Sequence, residues 1–190
     1  MEADWEVEIG GDALVIDAGW PGFVDLRLAP ARAAELSETH SLPVLARTLI
    51  RLNAPSSPVW TTKCDVWPLA EFDSDELDAP QETALHAIAC YIDLLPITSG
   101  QWPSAPQAVE WCKALCVRLR ALPLRSCRVD LVLRAAILAP GRTGLGITAY
   151  LAACGSTPNN AADTLQAALA IFVDAVAPEA PPAQTASKLQ

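Results

Sequence analysis

The chain has 190 residues, of which 52% are apolar and 18% charged, with a net charge of −9. That is long and apolar enough for one domain with its own core, and too apolar for a disordered polymer. The acidic balance argues against a general nucleic-acid binder and against docking on an anionic membrane, since both need clustered Lys and Arg.

Trp5–Ile9 sets Trp5, Val7 and Ile9 against glutamates and reads as a strand. Gly10-Gly11-Asp12 reads as a turn and Ala13–Asp17 as a second strand, so the start is expected to be a hairpin. Phe23–Leu28 is the next expected strand, with Asp25 and Arg27 opposite Val24, Leu26 and Leu28. Pro30 opens a helical stretch. Ser41 is an expected N-cap for its second half, where Leu45, Leu49, Ile50 and Leu52 form the apolar stripe. Val59–Trp67, rich in β-branched and aromatic residues, is expected as a strand. An acidic, solvated loop over Ala70–Thr83 and a strand over Leu85–Leu95 follow.

After a loop over Thr98–Ala105, a helix is expected from Ser104-Ala105-Pro106 to about Ala121, with Cys112, Leu115, Cys116 and Leu119 inward. Cys127–Leu138 and Ile147–Cys154 read as strands joined by a turn over Pro140–Gly146. Thr157-Pro158 caps a last helix that ends near Ala177. These elements predict one α+β domain over 1–178 and a disordered tail over 179–190. The architecture is a two-layer sandwich, with an antiparallel-rich sheet carrying its helices on one face. From Phe23 to Leu138 the order reads βαββαβ, the ferredoxin-like arrangement, extended by the N-terminal hairpin and a C-terminal strand and helix. It also reads as a repeated strand–strand–helix unit.

Aspartates alternate with apolar residues at Val24-Asp25-Leu26, Cys64-Asp65-Val66, Ile92-Asp93-Leu94 and Val129-Asp130-Leu131. Side chains alternate across a strand, so the sheet is expected to have one dry face and one charged face. Lys63, Asp65, Asp93, Arg128, Asp130, Arg134 and Tyr150 are the candidate ligand-binding residues on that face, with Asp25, Arg27, Tyr91 and Thr148 beside them. Cross-strand ion pairs account for such a face equally well. Trp20, Trp60, Trp67 and Trp102 fall at strand ends and loops, where indoles serve either binding or core closure.

Catalytic and metal motifs are sparse. Cys112 and Cys116 share a helix face, but as members of the apolar stripe they read as buried thiols, so no metal is assigned. Cys64 and His86 lack a third partner to form a nucleophilic unit and read as core residues. Gly141–Gly146 lies between strands rather than before a helix and reads as a hairpin turn, not a phosphate loop. Cys154-Gly155-Ser156-Thr157 reads as a helix cap, and Asp73–Asp78 departs from the calcium-loop pattern. Six cysteines without framework spacing, and a start without an apolar core, point to a reduced cytoplasmic protein. No apolar run approaches the roughly 20 residues that span a bilayer. The expected function is a non-catalytic binding or interaction module without a cofactor. Its partner is another protein or a second copy docked through the sheet face, not nucleic acid or membrane. The alternative is a small-molecule enzyme or sensor using the charged face.

Overall fold

The computed structural model describes residues 1–97, 102 and 104–177. In chain order it forms β1 (Glu2–Glu8), β2 (Ile16–Asp17), a 3-10 turn (Pro30–Glu35), α1 (Ser37–Ser41), α2 (Pro43–Leu52), β3 (Val59–Leu69) and β4 (His86–Pro96). There follow α3 (Ala105–Arg120), β5 (Cys127–Ala139), β6 (Arg142–Gly155) and α4 (Pro158–Val176). The sheet order is β1-β5-β6-β4-β3, and β2 continues the edge of β5 beyond the end of β1. The β5–β6, β6–β4 and β4–β3 pairs are antiparallel, while β1 and β2 run parallel to β5.

The period-two pattern places one side chain of every pair against the helices. Cys90, Ile92 and Leu94 of β4, Val129, Leu131 and Leu133 of β5, and Ile147, Ala149 and Leu151 of β6 meet the stripes of α2, α3 and α4 in one core. Leu45, Leu49 and Leu52 come from α2, and Leu165, Leu169, Phe172 and Val176 from α4. Each such fully buried side chain contributes roughly 1.5–3 kcal/mol by leaving water. Thr157 caps α4, its hydroxyl accepting the Asn160 N–H at 3.1 Å. Among the described residues no helix is long and apolar enough to cross a membrane.

Two apolar plugs close the ends of the opposite face. At one end Ile16, Ala18 and Phe23 pack on Trp60, Leu95 and Ala136. The approach is close enough that a Cβ on Gly146 would stand 2.8 Å from both Ile16 Cδ1 and Leu95 Cδ2. At the other end Leu77, Ala79 and Phe72 cover Ala87 and Cys154. The acidic loop is thus anchored by a buried Leu77 rather than solvated throughout.

The structure corrects several expectations. The N-terminal hairpin is not formed: β1 and β2 each pair with β5 and not with one another. Phe23–Leu28 is not a strand. It is held by turns in which the Leu28 and Ala29 N–H groups reach the Asp25 carbonyl. Without that strand the βαββαβ run does not begin where the sequence placed it, and the mixed order β1-β5-β6-β4-β3 is not one that the run implies. Ser41 ends α1 and does not cap α2. The cap position is Leu42, whose side chain has no acceptor and makes no capping bond, while Pro43 takes the first helical position, where an N–H has no intrahelical partner. Ile50 is exposed, so the α2 stripe is narrower than expected. The turn between β5 and β6 tightens to Pro140-Gly141, Gly141 taking φ +73°, and Arg142–Gly146 belong to β6. The tail over 179–190 and most of Thr98–Ala105 lie outside the described residues.

Candidate functional site

Between the two plugs the sheet face is polar, and its side chains meet by register. One cross-strand row runs Asp65–Tyr91–Tyr150–Asp130–Asp4 through β3, β4, β6, β5 and β1. Tyr91 packs against Tyr150 at 6.0 Å and against Trp67 at 6.1 Å between ring centroids, an aromatic strip flanked by carboxylates. The neighbouring row carries a hydrogen-bond chain. Arg134 donates to Glu8 Oε2 at 2.7 and 3.1 Å, to Thr148 Oγ1 at 3.0 Å and to the Tyr150 hydroxyl at 3.1 Å. Thr148 in turn donates to Asp93 Oδ1 at 2.6 Å. Arg134 and Asp93 are 6% and 7% exposed, so this is a buried relay and not a solvated ion pair.

Burial lifts the Asp93 carboxyl above its ordinary range, against the opposing pull of the Thr148 hydrogen bond and of the Arg134 and Lys63 charges. Tyr91 is pushed up to about 12, by burial first and then by Asp93 and Asp65. Arg128 donates to both Asp130 oxygens at 2.8 Å. Both arginines of the face are therefore already engaged.

Six of the seven expected residues divide between two concavities. Arg128, Asp130, Arg134 and Tyr150 line a groove of about 520 Å³ with Asp4, Trp5, Glu6, Glu8 and Val132. Lys63 and Asp65 line a second cavity, of about 420 Å³, at the β3 edge with Tyr91. Asp93 lines neither and sits in the relay between them. Asp25 and Arg27, expected on the sheet, are instead paired with one another at 2.6 Å, and the Arg27 guanidinium covers the Trp60 ring at 3.7 Å. Glu8, Asp4 and Glu6 were missed as site residues because β1 was read as half of a hairpin. The signal was present: Glu2, Asp4, Glu6 and Glu8 alternate with Ala3, Trp5 and Val7, and that acidic face matches the Arg128 and Arg134 face of β5.

The thiols are unsuited to nucleophilic work. Burial, then Glu38, Asp65 and Asp93, push Cys64 up to about 12. Cys64 faces Ile92, while His86 lies opposite Gly155 and is exposed, so they form no dyad. Cys112 and Cys116 are buried in the core. Of the tryptophans, Trp60 and Trp102 are buried, and Trp102 meets Trp111 edge-on at 5.2 Å. Among the described residues no group of three or more His, Cys, Asp or Glu is arranged to hold a metal ion. The chain is thus an α+β protein whose open sheet face is charged and lined by tyrosines. Comparison with known proteins finds no matching family model, curated relative or solved structure.

Proposed function

We propose that the chain is a non-catalytic binding module that receives a cationic segment of a protein partner in the groove between β1 and β5. The observation that carries this reading is the charge balance of the groove. Four carboxylates, Asp4, Glu6, Glu8 and Asp130, line it with two arginines, and Arg134 and Arg128 are already bonded to Glu8 and Asp130. Asp4 stands 3.7 Å from Arg120 and 4.0 Å from Arg128, distances at the outer limit of an ion pair, and Glu6 has no ion pair among the described residues. Tyr150 supplies an aromatic wall of the kind that cations favour. A second copy is the poorer occupant, since two such grooves would oppose like charges. The raised thiols and the solitary His86 support binding rather than catalysis. Six free cysteines support a reducing compartment.

The test is a titration of the protein with an Arg- and Lys-rich peptide and with its Asp- and Glu-rich counterpart. The basic peptide is expected to bind and to weaken as salt rises. Asp4→Asn with Glu6→Gln is expected to weaken it about tenfold without lowering thermal stability, since both carboxylates are exposed. Equal binding of the two peptides, or an unchanged affinity in the double variant, would overturn the reading.

A further inference from the structure

The second cavity has a different chemistry from the groove. It forms at the edge strand β3, where a bulge between Thr61 and Cys64 sets two residues, Thr62 and Lys63, against Asp93 alone. Such bulges re-aim side chains and recur beside functional sites. The Trp20 indole donates to the Thr62 carbonyl at 3.2 Å, fixing an aromatic wall across the bulge. Leu26 and Leu49 add apolar surface to the same cavity.

Three polar features stand out against that surface. The Thr62 hydroxyl is buried without a hydrogen-bond partner among the described residues, and Thr62 as a whole is 7% exposed. An unpaired buried hydroxyl is costly, so its retention at a cavity wall points to a partner that arrives from outside. Lys63 holds its ammonium 5.4 Å from the Trp20 ring and makes no ion pair among the described residues. Two carboxylates, Glu38 and Asp65, share the lining, both near enough to Cys64 to act on its thiol.

We infer that this cavity binds a small zwitterion with an apolar side chain, of the α-amino-acid class. Its carboxylate is taken by the Lys63 ammonium and the Thr62 hydroxyl, its ammonium by Glu38 and Asp65, and its side chain by Trp20, Leu26 and Leu49. The volume of about 420 Å³ lies within the range of small-molecule sites. One cation and two anions around an apolar wall suit a zwitterion better than a simple acid, which would meet Glu38, or a simple amine, which would leave Lys63 unpaired. Neither Asp4 nor Glu6 lines this cavity, so the inference stands or falls independently of the basic-peptide groove.

The experiment is a thermal-shift and calorimetric titration of the whole chain with leucine and phenylalanine. The controls are 4-methylpentanoate and isopentylamine, each carrying one charged group of leucine. An amino acid is expected to raise the melting temperature, and each single-charge analogue to bind at least about tenfold more weakly. Thr62→Val should move two readouts in opposite directions, raising the melting temperature of the free protein while weakening the amino acid about tenfold. Lys63→Met, at a partly exposed position, should fold like the parent and abolish the shift. No shift with either amino acid at about 10 mM, equal binding of an analogue, or parental affinity in Lys63→Met overturns the inference.

Discussion

Arg134→Met tests whether the relay is a structural element of the sheet or a decoration of its surface. The guanidinium makes four hydrogen bonds, and the residue is 6% exposed. Methionine keeps the aliphatic volume and removes the charge, so packing is little changed. Truncating one partner of a buried ion pair costs roughly 3–5 kcal/mol. That range must be lowered here, because the Glu8 side chain is 40% exposed and regains water when released. Thr148 still donates to Asp93, but Asp93 loses the stronger-acting of two compensating cations. The expected loss is about 2–3 kcal/mol, or about 5–10 °C in melting temperature for a domain of this size. Urea denaturation with an unchanged slope is the assay. Arg134→Lys should recover less than half, because an ammonium cannot span Glu8, Thr148 and Tyr150 together. Glu8→Gln alone should cost less than about 1 kcal/mol. If Arg134→Met cost under about 0.5 kcal/mol, the range of an ordinary surface pair, the relay would have no structural weight.

The remaining predictions concern titration, backbone and thiols. Burial raises the Asp93 carboxyl, so its stabilising contribution is complete below the ordinary value of 3.8 and is lost as pH rises through the folded-state value. Asp93→Asn keeps an acceptor for Thr148. Relative to the parent it should gain stability as pH rises from 3.8 through the folded-state value, and a relative loss over that rise would contradict the burial argument. At Gly155 a Cβ would stand 2.7 Å from the Ala161 backbone nitrogen and from Asn160 Cβ, where β6 turns into α4. Gly155→Ala should therefore destabilise by more than about 1 kcal/mol in urea, and a neutral result would mean that the strand–helix junction relaxes freely. Five cysteines are buried and Cys64 is half-buried with its thiol near 12. The native protein should react slowly with a thiol reagent at about pH 7.5 and yield all six cysteines only in denaturant; rapid native reaction of even one would refute the burial assigned to it.

Period-two patterns were legible wherever both faces of a strand had distinct company. In Cys127–Ala139 and His86–Pro96 the central inward residues read from sequence, Val129, Leu131 and Leu133 and Cys90, Ile92 and Leu94, reach the core, whereas His86 at the strand start is exposed. Phe23–Leu28 shows the limit of the same rule. Its alternation is real, yet Asp25 spends its carboxylate on the Arg27 side chain and on the Arg27 N–H at 3.0 Å, a local turn that competes with ladder bonds. Strand order was illegible for another reason. The closest sequence neighbours of β1 are β2 and the Gly10-Gly11 turn, and nothing local favours a partner some 130 residues away, β5.

The placement of the two concavities follows from one property of β6. Between the two plugs that strand offers Gly146, Thr148, Tyr150 and Ala152 on the open face, none of them charged, while its Arg142 lies at the strand start beside Trp60 and Leu138. Among the described residues, the hydrogen-bonded link between the charges of β5 and β4 runs through the Thr148 hydroxyl, which accepts from Arg134 and donates to Asp93. The Tyr150 ring stands between the two concavities, with the carboxylate-lined groove toward β1 and the Lys63-lined cavity toward β3. A slip of one residue in the β5–β6 register would put Ile147 and Ala149 on this face and Thr148 in the apolar core, breaking the relay and the core together. Core packing and the polar face thus enforce the same register. That coupling holds in place a charged surface assembled from five strands, of which β1 lies far in sequence from its partner β5.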